Sequence, residues 1–225
     1  MKKLSKRVLL NKNKIIKSFY SVDEALNLLN KTSNLKFIET AEIHINLNLT
    51  SNQIRNSIIL PHGTGHKIRI AVLVPDHLID QILKNEADIV GNDNLIQEIQ
   101  KDIINFDLLI TIPEMMPKLA KLGKILGPKG LMPSPKSGTV TNNLFETLIE
   151  FKKGKFEYKT DKNNIFHIPF GKLNFNIKEL KENLIYLYET IQQNKPIGLK
   201  GLFIKSIYIC STMGPSIAID LKSFD

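Results

Sequence analysis

Ile43, Ile45, Leu47 and Leu49 alternate with polar neighbours, the pattern of a strand with one buried face. Upstream, Ser21-Val-Asp-Glu24 reads as a capping box opening a helix whose Val22, Leu26 and Leu29 share one face. Downstream, a second strand over residues 55–60 runs into the turn Pro61-His-Gly-Thr-Gly-His66. The pattern then changes. Residues 67–74 are mostly apolar and β-branched, as a strand buried on both faces requires. Helical and strand-like stretches alternate from there: a helix capped by Asp76 and reaching Lys84, a strand over 87–90, a helix from Asn94 and a strand over 106–112. Near residue 160 the first style returns, with a strand over 165–170 and then Ile177, Leu180, Leu184, Leu187 and Ile191 at helical spacing. Strands over 202–209 and 217–221 close the chain.

This order predicts a fold of class α/β and α+β in two domains. An α+β sandwich is built from both chain ends, residues 1–66 and 160–225, and a three-layer α/β (Rossmann-like) domain, residues 67–159, is inserted into it. The two adjacent crossings make a natural hinge.

Charge sharpens the picture. The net charge is +9, with ten Lys/Arg against four Asp/Glu in residues 1–66, thirteen against twelve in 67–159 and eight against six in 160–225. The two ends together therefore carry +8, and a basic surface of that kind favours an anionic partner. The first 17 residues hold seven bases and no acid, and read as a basic arm or a solvated, frayed terminus. No apolar run is long enough to span a bilayer, so no membrane partner is expected.

Catalytic signatures are missing. The Gly-Lys pairs at 123, 154 and 171 are followed by Ile, Phe and Leu rather than Ser or Thr, which excludes a P-loop. Cys210 is the single cysteine, which excludes disulfides and multi-cysteine zinc sites; with no histidine near in sequence, it reads as a small strand residue. His62 and His66 flank a glycine-rich turn with no neighbouring carboxylate or cysteine and read as turn residues. No catalytic residue, metal site or cofactor is expected.

Three segments carry candidate binding chemistry. Residues 126–140 (LGPKGLMPSPKSGTV) form a long Gly/Pro loop, on physical grounds most simply a connection between helices. In Ser211-Thr-Met-Gly-Pro-Ser216, Gly214 permits close backbone approach, Pro215 fixes the turn, and Ser211 and Thr212 offer hydroxyls suited to phosphate or ribose; a tight hairpin turn explains the same residues equally well. Lys36 and Phe37 pair a cation with an aromatic ring, a pairing suited to phosphate neutralisation and stacking on RNA, although a core Phe37 is the plainer reading.

Taken together, LGPKGLMPSPKSGTV and STMGPS, with KFIETAEIHINL, LPHGTG, ADIVG, EFKKGKFEYKTDK and KPIGLKGLFIKSIYIC, make the chain resemble the ribosomal protein L-one family over nearly its whole length. That resemblance implies a non-enzymatic constituent of the large ribosomal subunit, monomeric within the ribosome. Its end-built domain would bind the large-subunit rRNA stalk, and stalk movement would assist release of deacylated tRNA from the exit site. The chain's own messenger RNA is a further implied partner, through translational repression. Carried over by position, the RNA contacts are Lys36, Phe37, Thr40, Ser211, Thr212, Met213, Gly214 and Pro215, with His167, Gly171 and Lys172 as weaker transfers. Abundant Lys, Asn and Ile point to an A/T-rich genome, and LMPSPK and EFKKGK resemble the plastid and cyanobacterial branch. A plastid (chloroplast) ribosome is thus the expected location, with a bacterial cytoplasm as the alternative. Two other functions stay open: a nucleotide- or phosphosugar-binding enzyme using the inserted α/β domain, and a messenger-binding regulator outside the ribosome.

Overall fold

The structure, a computed structural model, describes residues 6–33, 35–49, 54–76, 78–79, 87–196 and 201–224. It divides into two compact units, Met1–Gly65 with Tyr158–Asp225, and His66–Glu157. These boundaries fall one or two residues before the expected 66/67 and 159/160.

The first unit contains α1 (Lys6–Asn13), α2 (Val22–Thr32), β1 (Thr40–Leu47) and β2 (Arg55–Ile59). The second contains β3 (Ile70–Leu73), β4 (Ile89–Gly91), α3 (Asp93–Gln100), β5 (Leu108–Thr111), α4 (Met116–Ala120), α5 (Gly123–Leu126) and α6 (Leu144–Lys152). The strand β6 (Lys155–Lys159) leads back into the first unit, which ends with β7 (Ile165–Lys172), α7 (Ile177–Gln193), β8 (Ile204–Ser211) and β9 (Ile217–Ile219). The helix expected from Asp76 to Lys84 lies largely outside the described residues.

The core of the first unit is an antiparallel sheet in the order β7-β1-β8-β9. Along β1 the side chains of Ala41, Ile43, Ile45 and Leu47 are buried and the residues between them are not, so one face is covered and the other stays open. The covered face meets α2 through Val22, Leu26 and Leu29 and α7 through Leu180, Leu184, Leu187 and Ile191, all of them core residues. Ile177, expected on that stripe, is 37% exposed because it occupies the first turn of α7. A bulge in β7 lets Phe170 and Gly171 both face inward: Glu42 pairs with Pro169 and Ala41 with Gly171, leaving Phe170 as the extra residue.

Two local expectations change. Ser21 caps α2 by accepting from the Glu24 N–H at 3.4 Å, but the Glu24 carboxylate turns away to Lys17 Nζ at 2.8 Å, so the reciprocal half of the box is missing. A reciprocal arm does form on α7, where the Asn176 N–H donates to Glu179 Oε2 at 3.0 Å. The basic arm is a helix from Lys6 onward, anchored by the buried Asn11 donating its side-chain amide to Thr32 O at 2.8 Å.

In the second unit β3 lies between β4 and β5, all parallel. Ala71 and Leu73 pack against Leu95, Ile99, Leu119 and Leu126 on one face, and Ile70, Val72 and Val74 against Leu144, Leu148 and Phe151 on the other. Burial on both faces is why the strand lacks alternation. The 126–140 loop is closed on itself. Ser134 O accepts from the N–H groups of Ser137 and Thr139 and from both of their hydroxyls, and Gly138 adopts φ 73° to end the turn. The loop joins α5 to α6.

Candidate nucleic-acid interface

The start of β1 is flanked on both sides. Thr40 pairs with Lys172 of β7, and Ala41 pairs with Gly171 of β7 and with Ser211 of β8. The segments 36–40, 171–172 and 211–215 are thereby gathered at one end of the four-stranded sheet. Beyond β8 the chain turns sharply, with the Gly214 N–H donating to Ser211 O at 2.9 Å.

Glu39 organises this end. It is 2% exposed, and its Oε1 accepts from Ser211 Oγ at 3.2 Å and from the Met213 N–H at 3.0 Å. Its backbone oxygen accepts from the Leu173 N–H at 3.0 Å, so one residue ties three segments together. Thr212 extends the ladder: its N–H donates to Thr40 O at 3.1 Å, and its Oγ1 accepts from the Thr40 N–H at 3.0 Å.

With the backbone so held, the outer surface is apolar and cationic. Phe37 is 53% and Met213 56% exposed, and Lys36 is exposed beside them. The plainer expectation for Phe37, a core ring, is overturned, because the inward-facing position at this end of β1 belongs to Glu39. Gly214 and Pro215 are partly exposed. Ser211 is different: at 1% exposure its hydroxyl serves Glu39 and is withheld from the surface. Gly171 is buried as well, since a Cβ there would meet Leu180 Cδ2 at 2.7 Å. Its missing side chain answers to core packing.

His167 stands apart from this cluster. It pairs with His44, four residues along β1 from Thr40, a displacement of about 13 Å. There it occupies the open sheet face, where His44 Nδ1 lies 2.8 Å from His167 Nδ1 and His44 Nε2 lies 3.1 Å from Cys210 Sγ. Cys210, which had no histidine near it in sequence, acquires one from 166 residues away. Burial, and secondarily the charge of Glu42, pushes the Cys210 thiol up to about 11, so the thiol is protonated at neutral pH and is a poor nucleophile. Burial, then the neighbouring His167, lowers the pKa of His44. His62 also gains a carboxylate from the fold: its Nε2 is 2.5 Å from Glu182 Oε2.

The missed residue, Glu39, carries a signal in its phase. It lies two residues before Ala41 on the same alternation that buries Ile43 and Ile45, just as Ser211 continues Ile207 and Ile209. In the second unit, a cleft at the ends of β3 and β4 is lined by Asp76, Asp93 and Glu98. Carboxylates there repel a phosphate-bearing substrate, the ligand the enzymatic alternative needs.

A family model described as the ribosomal protein L1p/L10e family matches residues 29–215. The large ribosomal subunit protein uL1c of Trieres chinensis is 53% identical over 229 aligned positions, covering 100% of both chains. The protein of that name from Gracilaria tenuistipitata var. liui is 55% identical, over 90% of this chain and 88% of the other. The large ribosomal subunit protein uL1 of Prochlorococcus marinus (strain MIT 9215) is 47% identical, over 99% and 97%. Matched by that family model over residues 29–215 and 47–55% identical to these relatives over at least 90% of its length, the chain belongs to the ribosomal protein L1p/L10e family, whose members are not enzymes.

Proposed function

We propose that this chain is a constituent of the large ribosomal subunit that binds the rRNA stalk through the end of the sheet where Lys36, Phe37, Thr40, Lys172 and residues 212–215 converge. The observation that carries this reading is the segregation of charge. On the structural boundaries, the unit Met1–Gly65 with Tyr158–Asp225 holds nineteen Lys/Arg against ten Asp/Glu, whereas His66–Glu157 holds twelve of each. The entire +9 sits on the unit that bears Phe37 and Met213, and long-range attraction of a polyanion is therefore a property of that unit. Exposed Phe37 and Met213 supply stacking and apolar contact once the RNA has docked.

On this reading Glu39, Ser211 and Gly171 shape the surface and the exposed residues touch RNA. The inserted unit makes secondary contacts, and movement of the stalk assists release of deacylated tRNA. Binding of the chain's own messenger uses the same surface. The relatives' name uL1c is the chloroplast-type designation, so the ribosome concerned is that of a plastid.

Titration of the full chain with a large-subunit rRNA stalk fragment at several salt concentrations tests the proposal. Affinity should fall steeply with salt, and Lys36→Ala and Lys172→Ala should each lower the log–log slope by about one. Salt-independent binding, or slopes unchanged by both variants, would move the site elsewhere.

A further inference from the structure

The open face of the four-stranded sheet carries a group of side chains that RNA binding at the sheet end does not use. Glu42 and His44 project from β1, and Cys210 projects from β8 directly opposite Glu42. One ligand-competent atom from each, a carboxylate oxygen, an imidazole nitrogen and the sulfur, lie within 4.8 Å of one another, and all three residues are partly open to solvent. We infer that Glu42, His44 and Cys210 form a binding site for a borderline divalent cation of the zinc type, with water in the fourth position.

The donor set fits that chemistry. Zinc takes sulfur, imidazole nitrogen and carboxylate oxygen together, at about 2.0–2.3 Å, in a tetrahedral arrangement that tolerates three protein ligands and one exchangeable one. Those bond lengths place nitrogen and sulfur about 3.5 Å apart, so the observed 3.1 Å between His44 Nε2 and Cys210 Sγ needs only a small opening of two half-exposed side chains. The backbone is already fixed, since β1 and β8 pair continuously from Ala41 to Asn46.

The arrangement behind His44 is the one a metal-bound imidazole needs. His167 Nε2 lies 3.5 Å from Asp161 Oδ2, and the same carboxyl group accepts from the N–H groups of Asn163 and Ile165 at 2.8 Å each. A His167 tautomer with its Nε2 proton directed at Asp161 offers a bare Nδ1, to which His44 can donate its Nδ1 proton across 2.8 Å. That tautomer leaves the lone pair of His44 Nε2 facing Cys210. Without metal it accepts the thiol hydrogen; on binding, the thiol proton passes to solvent as the metal–sulfur bond forms, and Nε2 turns its lone pair to the metal. Asp161 and His167 are thus positioning residues that hold the ligand's tautomer.

The test uses the full chain, reduced and stripped with a chelator. Cys210 is the only cysteine, so iodoacetamide alkylation followed by mass spectrometry reports on it alone. One equivalent of Zn2+ should slow that alkylation by about tenfold or more, because a coordinated thiolate is shielded from the electrophile. Co2+ should produce a thiolate-to-cobalt charge-transfer band and the d–d absorption of a tetrahedral site. Cys210→Ala, with its fold checked by circular dichroism, should abolish the band. His167→Asn should keep the band but weaken Zn2+ binding about 10–100-fold. An alkylation rate indifferent to Zn2+, or a Co2+ spectrum without the band, overturns the site in the unaltered protein. Unchanged Zn2+ affinity in His167→Asn overturns the positioning role.

Discussion

Glu39 and Ser211 meet inside the protein, carboxylate to hydroxyl at 3.2 Å, and that meeting shapes a surface to which neither residue contributes. Removing Glu39 leaves two donors, Ser211 Oγ and the Met213 N–H, without their acceptor. Glu39→Ala should cost about 1–3 kcal/mol of stability for the buried Ser211 hydroxyl it strands, and RNA affinity should fall with it. Glu39→Gln keeps an oxygen in place and should be milder. Urea denaturation beside RNA titration checks both, and an unaltered midpoint for Glu39→Ala would show that the clasp holds nothing.

Phe37→Ala and Met213→Ala should separate binding from folding. Both side chains are more than half exposed, so melting temperatures should hardly move, while loss of a stacked base at Phe37 should cost about 1–3 kcal/mol of binding. Thr212→Val behaves differently. Its hydroxyl accepts from the Thr40 N–H, so the substitution should lower stability by about 1 kcal/mol alongside any loss of affinity. Equal affinities for Phe37→Ala and the parent would remove the ring from the interface.

Structure is legible in the sequence where a periodic pattern has a single physical cause. The alternation at Ile43, Ile45 and Leu47 marks a sheet with one covered face, and the unbroken apolar run at 70–74 marks a strand between two helical layers. Leu180, Leu184, Leu187 and Ile191 mark the helix that covers the sheet. What stayed hidden depends on pairing across the chain. Glu39 looks like a surface acid until the Ser211 hydroxyl and the Met213 amide arrive to satisfy it, and Cys210 looks isolated until β1 brings His44. The polar helix Lys6–Asn13 gave no amphipathic signal, because its anchor is one buried amide rather than an apolar stripe.

Gly214 is held by its neighbour. A Cβ there would stand 2.3 Å from Ser211 Oγ, so Gly214→Ala should push the Ser211 side chain off Glu39 and destabilise the protein by about 1–3 kcal/mol. The double variant Ser211→Ala/Gly214→Ala should be less destabilised than the two single changes added together, since the clash disappears with the hydroxyl. A double-mutant cycle by chemical denaturation measures this, and strict additivity would mean that the crowding is relieved some other way.

Deletion of residues 66–157, with a short linker joining the remaining ends, should leave a folded protein that keeps most of its rRNA affinity. The basis is that Met1–Gly65 with Tyr158–Asp225 has its own core and carries the whole net charge. Circular dichroism and RNA titration of the joined ends test it. Tighter binding by the isolated His66–Glu157 unit would place the site in the wrong half.

Glu39 and Ser211 are separated by 172 residues, and that interval has a consequence in time. During synthesis the contiguous segment from His66 to Glu157 emerges whole and can close its own core early. The clasp cannot form until β8 has been made and has found β1. A product that stops before Ser211 therefore lacks the clasp, and the sheet end proposed to meet RNA stays unorganised until both halves of its unit have been made.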